Sequence, residues 1–459
     1  MKTYWLALLC WLPAAAVSGQ IQHWKNKVYY VTPAVETKQY GGEDYLIFET
    51  PVKGEELLLG DDGTLVLRHE TKLYVYDAAL HQKGEMDMRR LNIPWNFRLL
   101  ALDPKRHQVI VGIPMRDEFK YRLVAIGLND LKSRELLTLA DTLFPCYEPV
   151  AREREIAEKD PDFLGEFRFL VSQSGDFRGG FIRRDTLYLW TPSDPGLYFG
   201  QLIAVPLGNP HRQLVSNRLH RFLGYDGQNL VYSIYTDPDG LYVGRFVVLR
   251  RGGKEIRSPE VELDEFNYYR PGKIYTNPRH VIKLYTLPGG QVRQIDFPGE
   301  GGLLMAVSPS GNRLFGVYYQ QGQRHFGMYD LRTGRWTDIR FPLKENKPPV
   351  KVTYDGESFA LRSQKNLILG YLNDDSRPVL RILAADTVRS SPVTVRLPAR
   401  DRAFVSGLKA VKWQGDTVEP GRPLSVDLKE GDNFLTAEAE DRAGNKIRLK
   451  RKIVYVPGD

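Results

Sequence analysis

Seven stretches of the chain share one layout. A short apolar strand runs into a polar turn rich in Gly, Asp or Asn, and a second strand leaves the turn. The strands are residues 73–77, 121–126, 202–205, 245–249, 281–285, 325–330 and 366–371. Their turns centre near residues 79, 132, 209, 252, 289, 334 and 374. Most intervals are about 40 to 50 residues, the length of a four-stranded structural repeat. The interval from 132 to 209 is about 30 residues longer than that period. Its excess holds residues 151–159, the best helical pattern in the chain, and reads as an insertion near 145–166 within the third unit. A second marker, a turn leading into an apolar strand, occurs at residues 61–63, 103–104, 226–227, 277–278, 308–312 and 355–356. Pro presets φ in such turns, and Gly accepts the positive φ that a hairpin requires.

From residue 390 the pattern changes. Residues 390–457 carry about six short alternating strands. In one of them Leu435, Ala437 and Ala439 share one side, and Thr436, Glu438 and Glu440 the other. Ala443, Gly444 and Asn445 suit a tight turn. Lys446, Arg448, Lys450 and Lys452 then line one face of the last strand. A solvated face that blocks edge-to-edge pairing is the favoured reading, against a contact stripe for an anionic glycan or membrane.

Residues 307–315, followed by 328–336, resemble a blade of the bacterial WD-like and TolB-like β-propellers, although the Trp-Asp dipeptide is absent. The resemblance covers residues 45–388. It implies a ring in which stacked blades bury their apolar faces against one another. Seven hairpins argue for seven blades, with six as the nearest alternative. Residues 27–31 or 45–48 would supply the strand that closes the ring. Residues 428–439 and 441–445, with 453–455 at the end, resemble a bacterial immunoglobulin-like domain, without the cysteine pair of antibody domains. The expected architecture is all-β: a signal peptide at 1–19, a β-propeller at 20–388 and an immunoglobulin-like β-sandwich at 389–459.

Composition narrows the classes of function. Lys plus Arg number 64 and Asp plus Glu 56, a net charge of +8. That charge is too diffuse to indicate a nucleic-acid partner. Hydrophobic residues at 42% and aromatics at 11% exclude a disordered chain. Lys2, the apolar run 4–17 and the small residues at 14–16, 18 and 19 have the layout of a secretory signal peptide. The run is shorter than the ~20 apolar residues that span a bilayer, and no later stretch reads as a membrane span. No twin-arginine pair is present, so export of an unfolded chain without a preloaded cofactor is expected. With Cys10 in the leader, Cys146 is the remaining thiol, too few for an internal disulfide. Its apolar setting reads as a buried, inert thiol.

Motifs that carry chemistry are absent: no His-Glu-x-x-His, Cys-x-x-Cys, Gly-x-Ser-x-Gly or phosphate-binding Gly-Lys-Ser/Thr loop. Asp237 with Asp239, Asp160 with Asp162, and Asp374 with Asp375 read as turn residues rather than calcium ligands. His211 and His220 read as exposed or capping residues rather than zinc ligands. No catalytic residue, metal or cofactor is assigned. The binding candidates are aromatic residues with neighbouring arginines: Trp95 with Arg98, Trp190 with Tyr198, Tyr235, and Tyr269 with Arg270. The sequence reads as a secreted, non-enzymatic binding or scaffold protein of the cell envelope. It would lie in the periplasm, outside the cell or at its surface, and recognise a protein or polysaccharide through the propeller. The alternative is an extracytoplasmic propeller hydrolase or lyase acting on a polysaccharide. That reading requires acidic and His or Tyr side chains clustered at the ring axis.

Overall fold

Alternating apolar residues build blade after blade of antiparallel strands. The computed structural model describes residues 21–457 except 94–96, 116–119, 141–147, 150–154, 157–158, 160–176, 178, 184, 192–197, 226–228, 237–242, 251–253, 263–267, 271, 278–279, 287–290, 354 and 403–404. Blade 1 pairs Glu56–Leu59, Leu65–His69, Lys72–Tyr76 and Gln82–Asp87 in that order. Blade 2 pairs Arg98–Asp103, Gln108–Met115, Lys120–Gly127 and Ser133–Ala140. Blades 3 and 4 share one long strand, Gln213–Tyr225. Residues up to Leu219 pair with Tyr198–Pro206, and from Leu219 onward the strand pairs with Leu230–Tyr235. Blade 5 runs from Tyr268–Arg270 to Gln291–Ile295, and blade 6 from Glu300–Val307 to Arg335–Ile339.

Blade 7 closes the ring. Val350–Val352, Ser358–Ser363 and Asn366–Leu372 supply three strands, and Tyr45–Lys53 supplies the fourth. Of the two closing strands expected from the sequence, the one at 45–48 does this. Lys38–Gly41 adds a fifth strand outside it. Ile21–Trp24 and Val28–Val31 form a separate hairpin, bridged to Asn373 through Val28. The fold is a seven-bladed β-propeller.

The core follows the same count. Seven apolar clusters each lie between two neighbouring blades. Because successive side chains point to opposite faces, one strand serves two clusters. Leu46 and Phe48 face blade 1, and Ile47 faces blade 6. Val109 and Val111 likewise face blade 1, and Ile110 faces blade 3.

All seven hairpin strands read from the sequence are third strands of blades. Five of the six turn markers lie between first and second strands, and the one at 277–278 lies between a second and a third. Gly311 (φ 76°) and Gly356 (φ 75°) take the left-handed conformation in two of these turns. In an antiparallel blade the first and third turns emerge on the same face. The chain leaves blade 7 after its third strand, so the C-terminal unit sits against that face.

The C-terminal unit places Thr387–Val388, Lys446–Tyr455, Gly431–Asp441, Leu408–Trp413 and Asp416–Val418 in one sheet. Val393–Arg396 and Pro423–Val426 form a second. Val395, Val411, Val426, Leu435, Ala437, Ala439 and Ile453 fill the core between them. These sheets reach back before residue 389. Val379–Leu380 pairs with Ala399–Arg400, and Thr387–Val388 pairs in parallel with the last strand. Backbone pairing, which a sequence pattern does not display, draws this stretch away from the propeller. Of the expected insertion, Glu148–Pro149 pairs with blade 3, and residues 155, 156 and 159 are helical. The rest of 145–166, Cys146 included, lies outside the described residues.

Candidate functional site

The two-residue turn between the second and third strands of blade 6 is Gln321 (φ 52°) and Gly322 (φ 73°). Two positive φ values make a type I′ hairpin, whose twist matches the strands that it joins. The register then sets Tyr318 opposite His325, and Tyr319 opposite Arg324. This hairpin, the end of the fourth strand and the segment 340–342 border a cleft of about 610 Å³. Tyr40, on the fifth strand of blade 7, forms the far wall.

Asp338 organises one side of the cleft. One carboxylate oxygen accepts from His325 Nδ1 (3.1 Å) and from the Tyr318 hydroxyl (3.2 Å), and the other accepts from Arg340 Nε (3.0 Å). A carboxylate only accepts, so His325 Nδ1 carries a proton and donates it. The Tyr318 and His325 rings stack, with centroids 5.5 Å apart. Burial raises the Tyr318 pKa, and Asp338 adds to that shift. Tyr40 donates to Glu49 (2.9 Å), and burial followed by that bond also raises its pKa.

Arg324 is differently placed. Its guanidinium lies 5.7 Å from the centroid of the Tyr319 ring, with Nη2 at 3.4 Å from the Tyr319 hydroxyl. Its Nε is out of solvent and meets no acceptor. No carboxylate among the described residues pairs with it. Among the described residues, Asp338 is the single carboxylate lining the cleft, against Arg324 and Arg340.

The residues singled out from sequence are scattered around the ring. Trp95 lies outside the described residues. Arg98, on the first strand of blade 2, pairs with Glu56 of blade 1 (2.5 Å), which also accepts from Leu99 N–H (2.8 Å). Trp190 packs against Phe222 in the cluster between blades 3 and 4, with centroids 4.9 Å apart. Tyr198 and Tyr269 lie on strands of blades 3 and 5, and their side chains are outside the described set. Tyr235 is buried and meets His220 edge-on at 5.0 Å. Arg270 donates to the backbone carbonyls of Val307 and Ser308, tying blade 5 to blade 6, and burial lowers its pKa to about 10. Among the described residues none of these lines the cleft.

Two further expectations meet the structure here. His211 is exposed, but His220 turns inward. It bonds Ser233 Oγ (2.9 Å), and burial lowers its pKa to about 3, with Arg221 adding to the shift. The basic stripe on the last strand is solvent-facing and neutralised across the sheet. Lys446 pairs with Glu440 (3.3 Å), Arg448 with Glu438 (3.2 Å) and Lys452 with Asp432 (2.7 Å). Lys450 lies 4.3 Å from the centroid of the Phe434 ring.

A group with metal-ligating character stands where the propeller meets the C-terminal unit. Asp374, Asp401 and Asp441 each bring a carboxylate oxygen within 4.8 Å of the others. The Ser406 hydroxyl contacts both Asp374 and Asp401 (2.7 Å for the latter), with a single proton to give. Asp441 accepts from the backbone N–H (2.8 Å) and side chain (3.0 Å) of Asn445. Burial pushes its pKa up to about 6, with Asp374 and Asp401 adding. Lys27 to Asn445 (2.8 Å) and Tyr29 to the Arg442 carbonyl (2.6 Å) complete this junction.

No protein-family model matches the chain, and no curated protein matches it. Solved propellers do. The β-propeller domain of Cps50 (Swd1) from Myceliophteria thermophila is 9% identical, with 73% of this chain and 99% of that one covered and a TM-score of 0.45. A streptogramin B lyase is 10% identical, with 72% and 98% covered and a TM-score of 0.41. A chain of a mitotic checkpoint complex is 10% identical, with 82% and 100% covered and a TM-score of 0.46. The blade count rests on the strand order and not on these likenesses. No helix among the described residues is long and apolar enough to cross a membrane.

Proposed function

We propose that the chain is an exported, non-enzymatic binding protein of the cell envelope that holds a glycan in the cleft between blades 6 and 7. The observation that carries this reading is the lining of the cleft. Three glutamine amides, the His325 imidazole, two guanidinium groups, Tyr40 and Phe341 surround about 610 Å³, a volume within the ordinary range of ligand sites. Amides and guanidinium groups suit vicinal hydroxyls, and aromatic faces suit sugar rings. The signal-peptide pattern at 1–19 supports export. The immunoglobulin-like pattern from 428 to 455 supports a spacer or docking role for the C-terminal unit.

Hydrolysis of a glycosidic bond ordinarily uses two carboxyl groups about 5 to 10 Å apart, and this cleft is lined by one. That favours binding over the hydrolase alternative. The test mixes residues 20–459 with envelope polysaccharide and analyses the bound and unbound material. Glycan recovered at full length, with capture reduced by Tyr40→Ala, is the expected result. Shortened glycan makes the protein an enzyme. Capture of a salt-resistant protein partner without glycan replaces the ligand class.

A further inference from the structure

The geometry points to a carboxylate-bearing sugar, a uronic acid residue, as the group that the blade 6–7 cleft selects, with Arg324 as its receptor. This rests on the glycan reading above and deepens it.

The two arginines of the cleft differ in one respect that decides the chemistry. Arg340 is matched in place by Asp338 at 3.0 Å. Arg324 has no such partner, and its Nε has neither water access nor an acceptor. The residue is only partly buried and lines the cleft, so a ligand carboxylate can reach its Nη groups and form a charge-assisted pair there. Tyr319 holds it in place, with the ring centroid 5.7 Å away and the hydroxyl 3.4 Å from Nη2. A guanidinium fork presents parallel N–H groups that match the two oxygens of a planar carboxylate. A sulfate ester offers the same charge in a tetrahedral shape and is the competitor that the experiment compares. Asp338 balances Arg340, and the amides of Gln320, Gln321 and Gln323 both donate and accept. One negative charge among many hydroxyls is the ligand that satisfies this set, and a uronic acid residue in a chain of sugars has that form.

The experiment is titration calorimetry on residues 20–459 with tetragalacturonate, its methyl ester, a sulfated neutral tetrasaccharide and hexaglutamate. Tetragalacturonate is expected to bind about tenfold or more tighter than its methyl ester, the order of a charge-assisted bidentate contact. Arg324→Gln is expected to remove that preference, bringing the acid and the ester to equal affinity. Arg324→Lys is expected to retain part of it, since the charge stays and the fork is lost. Thermal melting of both variants at the parent temperature confirms that the fold is intact. Equal affinity for acid and ester overturns this inference and leaves glycan binding standing. A tighter sulfated ligand overturns the choice of carboxylate. Hexaglutamate binding as well as tetragalacturonate overturns the sugar, and no binding to any of the four overturns both readings.

Discussion

Glu357 offers a sharp test of the electrostatics beside the junction. It follows the Gly356 turn of blade 7, it is 2% exposed, and neither carboxylate oxygen meets a donor from another residue. Burial pushes its pKa from 4.5 up to about 8, with Arg313 opposing and Asp355 and Asp374 adding. The folded chain therefore keeps a proton that the unfolded chain releases. Stability falls as pH rises from the unfolded value to the folded one, and the loss is complete above about pH 8. Its full size is about 5 kcal/mol, and below pH 4.5 it vanishes. Glu357→Gln keeps the shape and removes the charge, at the cost of about 1 to 3 kcal/mol for amide donors left unbonded. The variant should therefore be more stable than the parent by about 2 to 4 kcal/mol at pH 8.5 and less stable by about 1 to 3 kcal/mol at pH 4.5. Urea unfolding at both pH values, followed by tryptophan fluorescence, measures the difference. A stability change of the same sign and size at both would refute the reasoning.

The remaining predictions follow from contacts between blades and across sheets. Arg270→Met removes the side-chain donor shared by the Val307 and Ser308 carbonyls, of which Ser308 keeps the Gly311 N–H, and is expected to cost about 1 to 3 kcal/mol, read as a lower melting temperature. Removing residues 21–53 strips the fourth strand from blade 7, and such a chain should be cut by protease within the ring under conditions that spare the parent. Replacing Lys446, Arg448 and Lys452 together by Gln should change binding to anionic vesicles by less than about twofold, because each already has a carboxylate partner across the strand pair.

The ring was legible in the sequence because its third strands are the most regular part of each blade. Residues 73–77 and 325–330 are short, largely apolar runs that end at turns that only certain residues make. The inward placing of Leu435, Ala437 and Ala439 was legible for the same reason. The strand shared by blades 3 and 4 was not. Gln213–Tyr225 continues without a break, and what divides it at Leu219 is a change of pairing partner. The cleft was hidden by distance along the chain. Tyr40 and Arg324 belong to blades 7 and 6, and nothing near either residue announces the other. His325 and Asp338 become a pair only when the third and fourth strands of blade 6 align. Arg270 shows the converse limit. Next to Tyr269 and a turn it resembles a binding residue, yet the neighbouring blade offers it two backbone carbonyls, and only the closed ring displays them. Asp374 reads as a turn residue because the residues that it meets at the junction, Asp401, Ser406 and Asp441, lie outside the propeller.

The closing strand has a consequence for how the protein is made. Thr50 Oγ1 donates to the Leu367 carbonyl (3.0 Å) across 317 residues of chain. By the time residue 339 has been synthesised, six blades are complete, and the nine-residue strand Tyr45–Lys53 still lacks its partner. Through all of that time its apolar edge is a template for pairing with other chains. Joining the two ends carries a loop-closure cost that no earlier blade bears, so the seventh blade is expected to set the pace of folding. A circular permutant that begins at residue 340 and carries 45–53 directly after 372 would make the seventh blade locally and should fold faster with less aggregation.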